Sequence, residues 1–254
     1  MQENSEQKIL KKDVLFDLGD HIDEISGAVY DVNQNVIWSL GDSSPMVLAR
    51  TDVSTLETQV IDIEGVKGGD REELVIDSEG YLWILCTGDN HKRRERVFMN
   101  QVDQRVLEKG KALKVMRTIE TNYPKGAIDV EGAFVYGRKL FLIQKSFFKK
   151  AKIYTIDISP GSEPKQMATH FNSIYGFPHL ATGACIDEND QVFFVTYWGV
   201  FKILDWKNNP EDLRVKLVEF GPFFGQTETI LCHKNRLIVA RESGLFFYSK
   251  KRKP

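Results

Sequence analysis

The pattern of hydrophobic and polar positions along the chain is typical of short β-strands. Apolar or alternating runs such as residues 36–40, 81–86, 139–144 and 237–241 are separated by Gly, Asp, Asn and Pro. Tight connections between paired runs, for example Ser78-Glu79-Gly80, contain residues that tolerate a positive φ or make local side-chain hydrogen bonds. The pattern predicts an all-β fold built from hairpins.

The hairpins form an internal repeat. Five similar openings follow one another, and the equivalent positions in them are Ser26, Glu72, Glu131, Thr182 and Glu228. Their spacing of roughly 46 to 59 residues matches units of three or four antiparallel strands, which is the size of a propeller blade. Five units account for the whole length, so we expect one β-propeller domain of five blades over residues 1–254, with flexible ends at 1–7 and 250–254.

The last unit lacks an outer strand because the chain ends soon after Tyr248. The segment 8–18, with the apolar core Val14-Leu15-Phe16, is expected to supply that strand and close the ring, which removes exposed sheet edges. A β-sandwich and a six-bladed ring with one degenerate blade remain as alternatives.

The charge and hydropathy of the chain limit the kinds of binding partner that we expect. With 34 basic and 36 acidic residues the net charge is −2, which speaks against a nucleic-acid partner that relies on bulk charge. No apolar run approaches the roughly 20 residues of a membrane helix, so we expect no membrane span. The first twelve residues are polar, so no signal peptide is expected in this chain. The three cysteines, Cys86, Cys185 and Cys232, lie in apolar or alternating runs and are predicted to be buried, reduced thiols.

The innermost strand of a propeller blade lines the central channel, so residues at the same repeat position form a ring around it. Ser26, Glu72, Glu131, Thr182 and Glu228 all carry oxygen, and three of them are carboxylates that repel one another. Hard oxygen ligands from separate segments favour Ca²⁺, with Mg²⁺ or Mn²⁺ ranked behind it. The alternative is a set of side chains that bond neighbouring strand ends or channel water without a metal. Glu73 follows Glu72, and strand alternation is expected to point only one of the two inward.

A second set of polar residues follows the second strand of each unit, which indicates one working face of the ring. Candidate catalytic bases are Asp42, Asp89 and Glu242, and candidate substrate contacts are Asn90, Arg93, Lys145, Tyr197 and Arg241. Basic side chains beside a central cation would suit an anionic ligand such as a phosphoester or a carboxylate.

The five openings resemble those of the calcium-activated nucleotidase (apyrase) family, whose five-bladed ring places Ser, Glu, Glu, Ser and Glu around an axial Ca²⁺. The corresponding order here is Ser26, Glu72, Glu131, Thr182, Glu228. Ser26-Gly27, Gly88-Asp89-Asn90 and Thr182-Gly183-Ala184 are also similar to the blade motifs of a group of bacterial propeller proteins. The resemblance implies a five-bladed ring with an axial cation.

Two functions follow as hypotheses. The first is a metal-dependent hydrolase of a phosphoester or other anionic substrate, and the second is a non-catalytic propeller that binds a small ligand or a protein while the ion stiffens the ring. We expect a monomer. Reduced thiols favour the cytosol, whereas calcium ligation and the resemblance favour the cell envelope or secretion after removal of a leader, and the latter is our expectation.

Overall fold

The computed structural model describes residues 14–42, 45–108, 110–146, 150–174, 180–208, 213–220 and 226–249. The flexible ends predicted at 1–7 and 250–254 lie outside these residues. Within them the chain is all-β, with 21 strands and one short 3-10 helix, Gln104–Val106. In this described part no helix has the length and apolar character needed to cross a lipid bilayer.

Most strands belong to groups of four antiparallel strands, and the outer strands of the first two groups also pair in parallel, which joins those two groups into one sheet. The first group comprises β2 (Ile25–Asp31), β3 (Val36–Gly41), β4 (Val47–Asp52) and β5 (Thr58–Glu64), and the second comprises β6 (Glu73–Ile76), β7 (Leu82–Cys86), β8 (Val97–Val102) and β9 (Leu113–Asn122). The third comprises β10 (Val130–Tyr136), β11 (Lys139–Gln144), β12 (Ala151–Asp157) and β14 (Thr169–Ile174), while the short β13 (Lys165–Met167) pairs with β9. The fourth comprises β15 (Gly183–Ile186), β16 (Val192–Thr196), β17 (Gly199–Ile203) and β18 (Val215–Phe220).

The last group joins the two ends of the described chain. It comprises β19 (Thr227–His233), β20 (Arg236–Arg241), β21 (Leu245–Tyr248) and the N-terminal β1 (Val14–Asp17). Strand β1 pairs antiparallel with β21, so it supplies the outer strand that the sequence predicts. Residues 8–13 of the predicted closing segment lie outside the described residues.

Burial follows the position of a strand within its group. The second strands are apolar and covered on both faces, and β3 and β7 are buried throughout. Outer strands such as β5 alternate between buried and exposed residues because one of their faces meets water. Apolar clusters lie between successive groups, with Trp38 between the first and second groups and Trp83 between the second and third. A further cluster joins the last group to the first, so the packing returns to its starting point.

The first strands of the groups, β2, β6, β10, β15 and β19, lie at the centre and contact one another in that cyclic order. Glycine permits this close approach at two of the contacts. A Cβ atom on Gly27 would lie 2.6 Å from Cα of Glu73, and one on Gly183 would lie 2.7 Å from Cα of Thr229. A larger residue at either position would push neighbouring first strands apart.

The cysteine prediction is wrong for two of the three residues. Cys185 and Cys232 form a disulfide between the adjacent first strands β15 and β19, with their Cα atoms 5.7 Å apart. The sequence places them 47 residues apart, and only the side-by-side packing of the two groups brings them together. Cys86 is a buried free thiol, as predicted, and burial raises its pKa to about 12.

Candidate functional site

The five predicted ring residues occupy equivalent irregular positions at the start of the first strands. Ser26, Glu131 and Glu228 are each an extra residue between two consecutive strand pairs, which is the pattern of a β-bulge. The Glu72 N–H donates to the carbonyl of Leu85, which is also the strand partner of Glu73. The Thr182 N–H likewise donates to the carbonyl of Val195, the strand partner of Gly183. A bulge changes the direction in which side chains point, and it occurs at three of the five ring positions.

Three carboxylates meet at this end of the channel. One oxygen from each of Glu72, Asp129 and Glu131 lies within 4.8 Å of the other two, and all three residues are buried. The sequence analysis missed Asp129, which comes immediately before β10 and two residues before Glu131. Its place two residues before the predicted ring residue Glu131 could have indicated that it belongs to the same site.

Burial dominates the electrostatics of these carboxyl groups. It raises the pKa of Glu72 well above its ordinary value, with repulsion from Glu131 adding to the effect. The pKa of Glu131 is raised to about 8 and that of Glu228 to about 7, again chiefly by burial and with opposition from the positive charge of Lys145. Because the charged forms are disfavoured, the cluster needs protons or positive charge to compensate it.

Lys145 supplies part of that positive charge. Its Nζ atom donates to Glu131 Oε1 at 2.6 Å and to the Tyr197 hydroxyl at 3.1 Å. The side chain of Lys145 is only 9% exposed and that of Glu131 only 4%, so water screens the pair little. The other oxygen, Glu131 Oε2, is buried and has no hydrogen-bond partner among the described residues.

The two hydroxyl members of the ring bond to neighbouring strands. Ser26 Oγ donates to the carbonyl of Arg71 at 2.6 Å, and Thr182 Oγ1 donates to the carbonyl of Thr227 at 2.6 Å. Each acceptor immediately precedes the ring residue of the next group. Hydrogen bonds of this kind to neighbouring strand ends are what we expect of a ring without a metal. The hydroxyl oxygens keep lone pairs that are free to accept other contacts.

The structure places Asp89 in a different setting from that of the ring residues. Its two carboxylate oxygens accept the N–H groups of Arg93 and Arg94 at 2.9 and 2.8 Å, and its own N–H donates to Asp129 Oδ1 at 2.8 Å. Asp89 therefore shapes the loop after β7 and ties it to the carboxylate cluster. Asn90 and Arg93 lie on the exposed side of this loop.

Asp42 directly follows β3 and Glu242 directly follows β20, and Glu24 acts on both. The pKa of Asp42 is raised to about 6 by burial, by a hydrogen bond with Glu24 and by repulsion from that residue. Burial and Glu24 also raise the pKa of Glu242. Arg241 is partly buried, and its guanidinium lies 5.7 Å from the centre of the Phe247 ring.

Glu73 is a functional candidate that the sequence analysis placed wrongly. Glu72 and Glu73 are both buried, so simple alternation fails here. The fully buried Glu73 carboxylate accepts from the N–H of Leu74 at 3.0 Å and from the N–H of Ala184 at 3.2 Å, and lies 3.4 Å from the Thr229 hydroxyl. Because Ala184 and Thr229 belong to β15 and β19, Glu73 reaches across the centre and divides the channel.

The far end of the channel is lined mostly by apolar side chains, with Asp31 and Asn33 among them. A cavity of about 230 Å³ is lined by all the first strands and includes Tyr30, Ile76, Phe134, Cys185 and Leu231. Its position beyond Glu73 separates it from the carboxylate cluster. The same strands therefore bring several buried carboxylates together at one end and mostly apolar side chains at the other.

No family model matches this chain, and no curated protein matches it. Among solved structures, the Mala s 1 allergen of Malassezia sympodialis is similar at 13% identity with a TM-score of 0.50, over 90% of this chain and 74% of that one. A gluconolactonase from Xanthomonas campestris is similar at 12% identity with a TM-score of 0.49, over 98% of this chain and 93% of that one. At such identity the likeness to Mala s 1 concerns the fold alone, and together with the strand arrangement it fits a β-propeller.

Proposed function

We propose that residues 1–254 form a single, monomeric five-bladed β-propeller that binds a divalent metal ion at the acidic end of its channel. The four-stranded groups, their cyclic packing and the central position of the first strands support the blade number. Each group is then one blade, and β1 closes the last.

The observation that carries the proposal is the meeting of three buried carboxylates from two strands. Glu72, Asp129 and Glu131 bring oxygens within 4.8 Å of one another, and a fully buried oxygen of Glu131 lacks a described partner. An unpaired buried carboxylate oxygen is costly, and a cation would compensate it together with the mutual repulsion of the cluster.

The donor set fits calcium best. Carboxylate and hydroxyl oxygens on separate segments suit the flexible coordination of Ca²⁺, whereas Mg²⁺ and Mn²⁺ rank behind it. Glu72, Asp129 and Glu131 would hold the ion, with Glu228, Ser26 and Thr182 as the remaining predicted ring ligands. The resemblance of the ring positions to the nucleotidases supports the same choice of ion.

The first function for such a site is a metal-dependent hydrolase of an anionic substrate. The bound ion would polarise the substrate or activate water. Asp42, with a pKa of about 6, is suited to proton transfer near neutral pH. Lys145, Tyr197 and Arg241 are the candidate anion contacts, whereas the Asp89 oxygens already bind the backbone of their own loop.

A non-catalytic binding propeller is the second candidate, and the Lys145–Glu131 ion pair favours it. This pair neutralises one carboxylate from within the chain, so the ring is partly compensated before any ion binds. In that case the ion only stiffens the channel. The disulfide supports a location outside the cytosol, in the envelope or after secretion, for either function.

Calorimetric titration with Ca²⁺, Mg²⁺ and Mn²⁺ tests the metal site. We expect Ca²⁺ to bind the wild-type protein and to bind Glu131→Gln at least about tenfold more weakly, because a ligand charge is lost. Asp62→Asn, which changes an exposed carboxylate on β5, is the matched control and should bind like the wild type. No binding to the wild-type or control protein would refute the site.

A substrate panel separates the two functions. Phosphoesters, nucleotides and carboxyl esters are incubated with the protein in the presence of Ca²⁺ and after chelation. Turnover that needs Ca²⁺ and falls in Asp42→Asn supports the hydrolase. Uniform inactivity of a protein that binds Ca²⁺ supports the non-catalytic function.

A further inference from the structure

We propose that Lys145 is an internal cation that competes with the metal ion for Glu131 and, once displaced, becomes the contact for an anionic ligand, so that metal and anion bind cooperatively. This inference rests on the metal site proposed above. It gives Lys145 two roles: the anion contact predicted from the sequence and the ion pair with Glu131 seen in the structure.

The geometry places the ammonium inside the carboxylate cluster. Lys145 Nζ is 2.6 Å from Glu131 Oε1, and Glu131 shares its 4.8 Å cluster with Glu72 and Asp129. The backbone of Lys145 is held at the same place, because its N–H donates to the Asp129 carbonyl at 3.0 Å. The side chain can therefore move while its attachment point stays beside the site.

A metal ion and this ammonium cannot share Glu131 without a penalty. Both are positive, and both sit where water screens charge weakly, so their repulsion is much larger than it would be at the surface. A divalent ion that binds Glu72, Asp129 and Glu131 thus displaces the ammonium from Glu131. The lysine stem is long and flexible, which makes a swing of the head group inexpensive.

The displaced ammonium has a second partner close by. The Tyr197 hydroxyl lies 3.1 Å from Nζ, and the centre of the Tyr197 ring lies 5.4 Å from it. Near Tyr197 the ammonium is no longer neutralised by Glu131 and can contact an anion. Linkage then requires reciprocity, because a metal that improves anion binding is itself bound more tightly when the anion is present.

The first test compares Ca²⁺ affinity by calorimetry in the wild-type protein, Lys145→Met and Lys145→Gln. We expect about tenfold tighter binding, or more, in both variants because the internal competitor is gone. Lys139→Met is the matched control, since Lys139 is exposed at the opposite end of β11. Equal Ca²⁺ affinity in the wild type and in folded Lys145 variants overturns the inference while leaving the metal site intact.

The second test needs no variant. Sulfate is the anion probe, titrated into wild-type protein with and without Ca²⁺ at concentrations below the solubility limit of calcium sulfate. We expect at least about fivefold tighter sulfate binding with Ca²⁺, a gain lost in Lys145→Met. Sulfate affinity that is unchanged by Ca²⁺ contradicts the cooperative role.

The two proposals fail in different ways. If Ca²⁺ binds neither the wild type nor the Lys145 variants, the metal site itself is wrong and this inference falls with it. If Ca²⁺ binds the wild type and the Lys145 variants equally, the metal site stands and only the competition is wrong.

Discussion

The two ends of the channel are built from the same first strands and differ in the side chains that they bring together. At one end, residues at the strand starts bring together buried carboxylates and one ammonium. At the other end, the regular parts of the same strands line a cavity of about 230 Å³ whose side chains are mostly apolar. Glu73 lies between them, with its carboxylate bonded to strands across the ring.

The difference shows what the bulge does. In a regular strand, successive side chains point to opposite faces. A first strand that packs against neighbouring strands therefore carries apolar residues on its covered faces. The extra residue at the strand start breaks that alternation and turns polar side chains inward at one end only. The polar site thus occupies a local irregularity, and the hydrophobic packing of the rest of each strand is undisturbed.

The largest effect is expected from removing the Glu73 side chain, which lies between the two ends of the channel. Glu73→Ala leaves two backbone N–H groups and the Thr229 hydroxyl without their acceptor and opens a cavity on the axis. We expect the free energy of unfolding in urea to fall by about 4 kcal/mol.

Glu57→Ala is the control for this substitution, because Glu57 is an exposed glutamate between β4 and β5 and its loss should cost under about 0.5 kcal/mol. A Glu73→Ala protein as stable as this control would mean that Glu73 does not join the first strands.

The second-largest effect is a loss of stability at the end of the channel that contains the cavity. Reduction of the Cys185–Cys232 bond should lower the free energy of unfolding by about 3 kcal/mol, because a 47-residue separation is no longer cross-linked in the unfolded chain. Calcium affinity measured on the reduced, folded protein should change little, since the bond lies beyond Glu73.

The double variant Cys185→Ala, Cys232→Ala is the reference for this measurement. Its stability should match that of the reduced protein to within about 1 kcal/mol and should not respond to reductant. A response of the double variant to reductant would assign the effect to something other than this bond.

A smaller change in stability, confined to the acidic end, is expected from Gly88→Ala. A Cβ atom there would overlap Glu72 Oε1 and lie 2.7 Å from Asp70 Cγ, so the Glu72 carboxylate must move. We expect about tenfold weaker Ca²⁺ binding by calorimetry and a stability loss of about 1 kcal/mol.

Gly69→Ala is the matched control for this change, because the nearest atom to its added Cβ is Arg94 Nη2 at 3.9 Å. Its Ca²⁺ affinity should equal that of the wild type. Equal affinity in both variants would remove Glu72 from the ligand set.

The smallest effect is a pH dependence without metal. Burial raises the pKa of Glu131 to about 8 and of Glu228 to about 7, above the roughly 4.3 of an unfolded glutamate. The folded state therefore holds more protons, so the stability these groups contribute is complete below about pH 4.3 and is lost as pH rises through 7 to 8. Calorimetric scans should show the unfolding temperature falling by several degrees between pH 5.5 and 8.5.

Saturating Ca²⁺ should flatten this dependence if the carboxylates hold the ion, and Glu228→Gln should reduce its slope. A wild-type unfolding temperature that rises over the same interval would contradict the burial of these groups.

The repeat in the sequence was sufficient to predict the strands, the N-terminal outer strand and the five equivalent positions from Ser26 to Glu228. Such features depend on local hydrophobic period and on turn residues, which one chain displays directly. The same reasoning placed Lys145 and Tyr197 at the same end of the ring, and they do make contact.

What the sequence could not predict depends on contacts between units. The burial of both Glu72 and Glu73 departs from strand alternation at the start of β6, and such a departure has no fixed sequence signal. The Cys185–Cys232 bond requires the packing of two adjacent units. Asp129 lies beside Glu72 in space and accepts a hydrogen bond from the Asp89 N–H, 40 residues away in the chain, which spacing does not show. The Asp89 carboxylate bonds instead to the N–H groups of Arg93 and Arg94 in its own loop.

The most direct test of the acidic end is an anomalous-scattering map from crystals soaked in Ca²⁺ or in a lanthanide substitute. The account predicts one strong peak about 2.3–2.6 Å from oxygens of Glu72, Asp129 and Glu131, with the Lys145 ammonium withdrawn from Glu131. Well-ordered carboxylates with no peak between them, and Lys145 still bound to Glu131 in the soaked crystal, would contradict it.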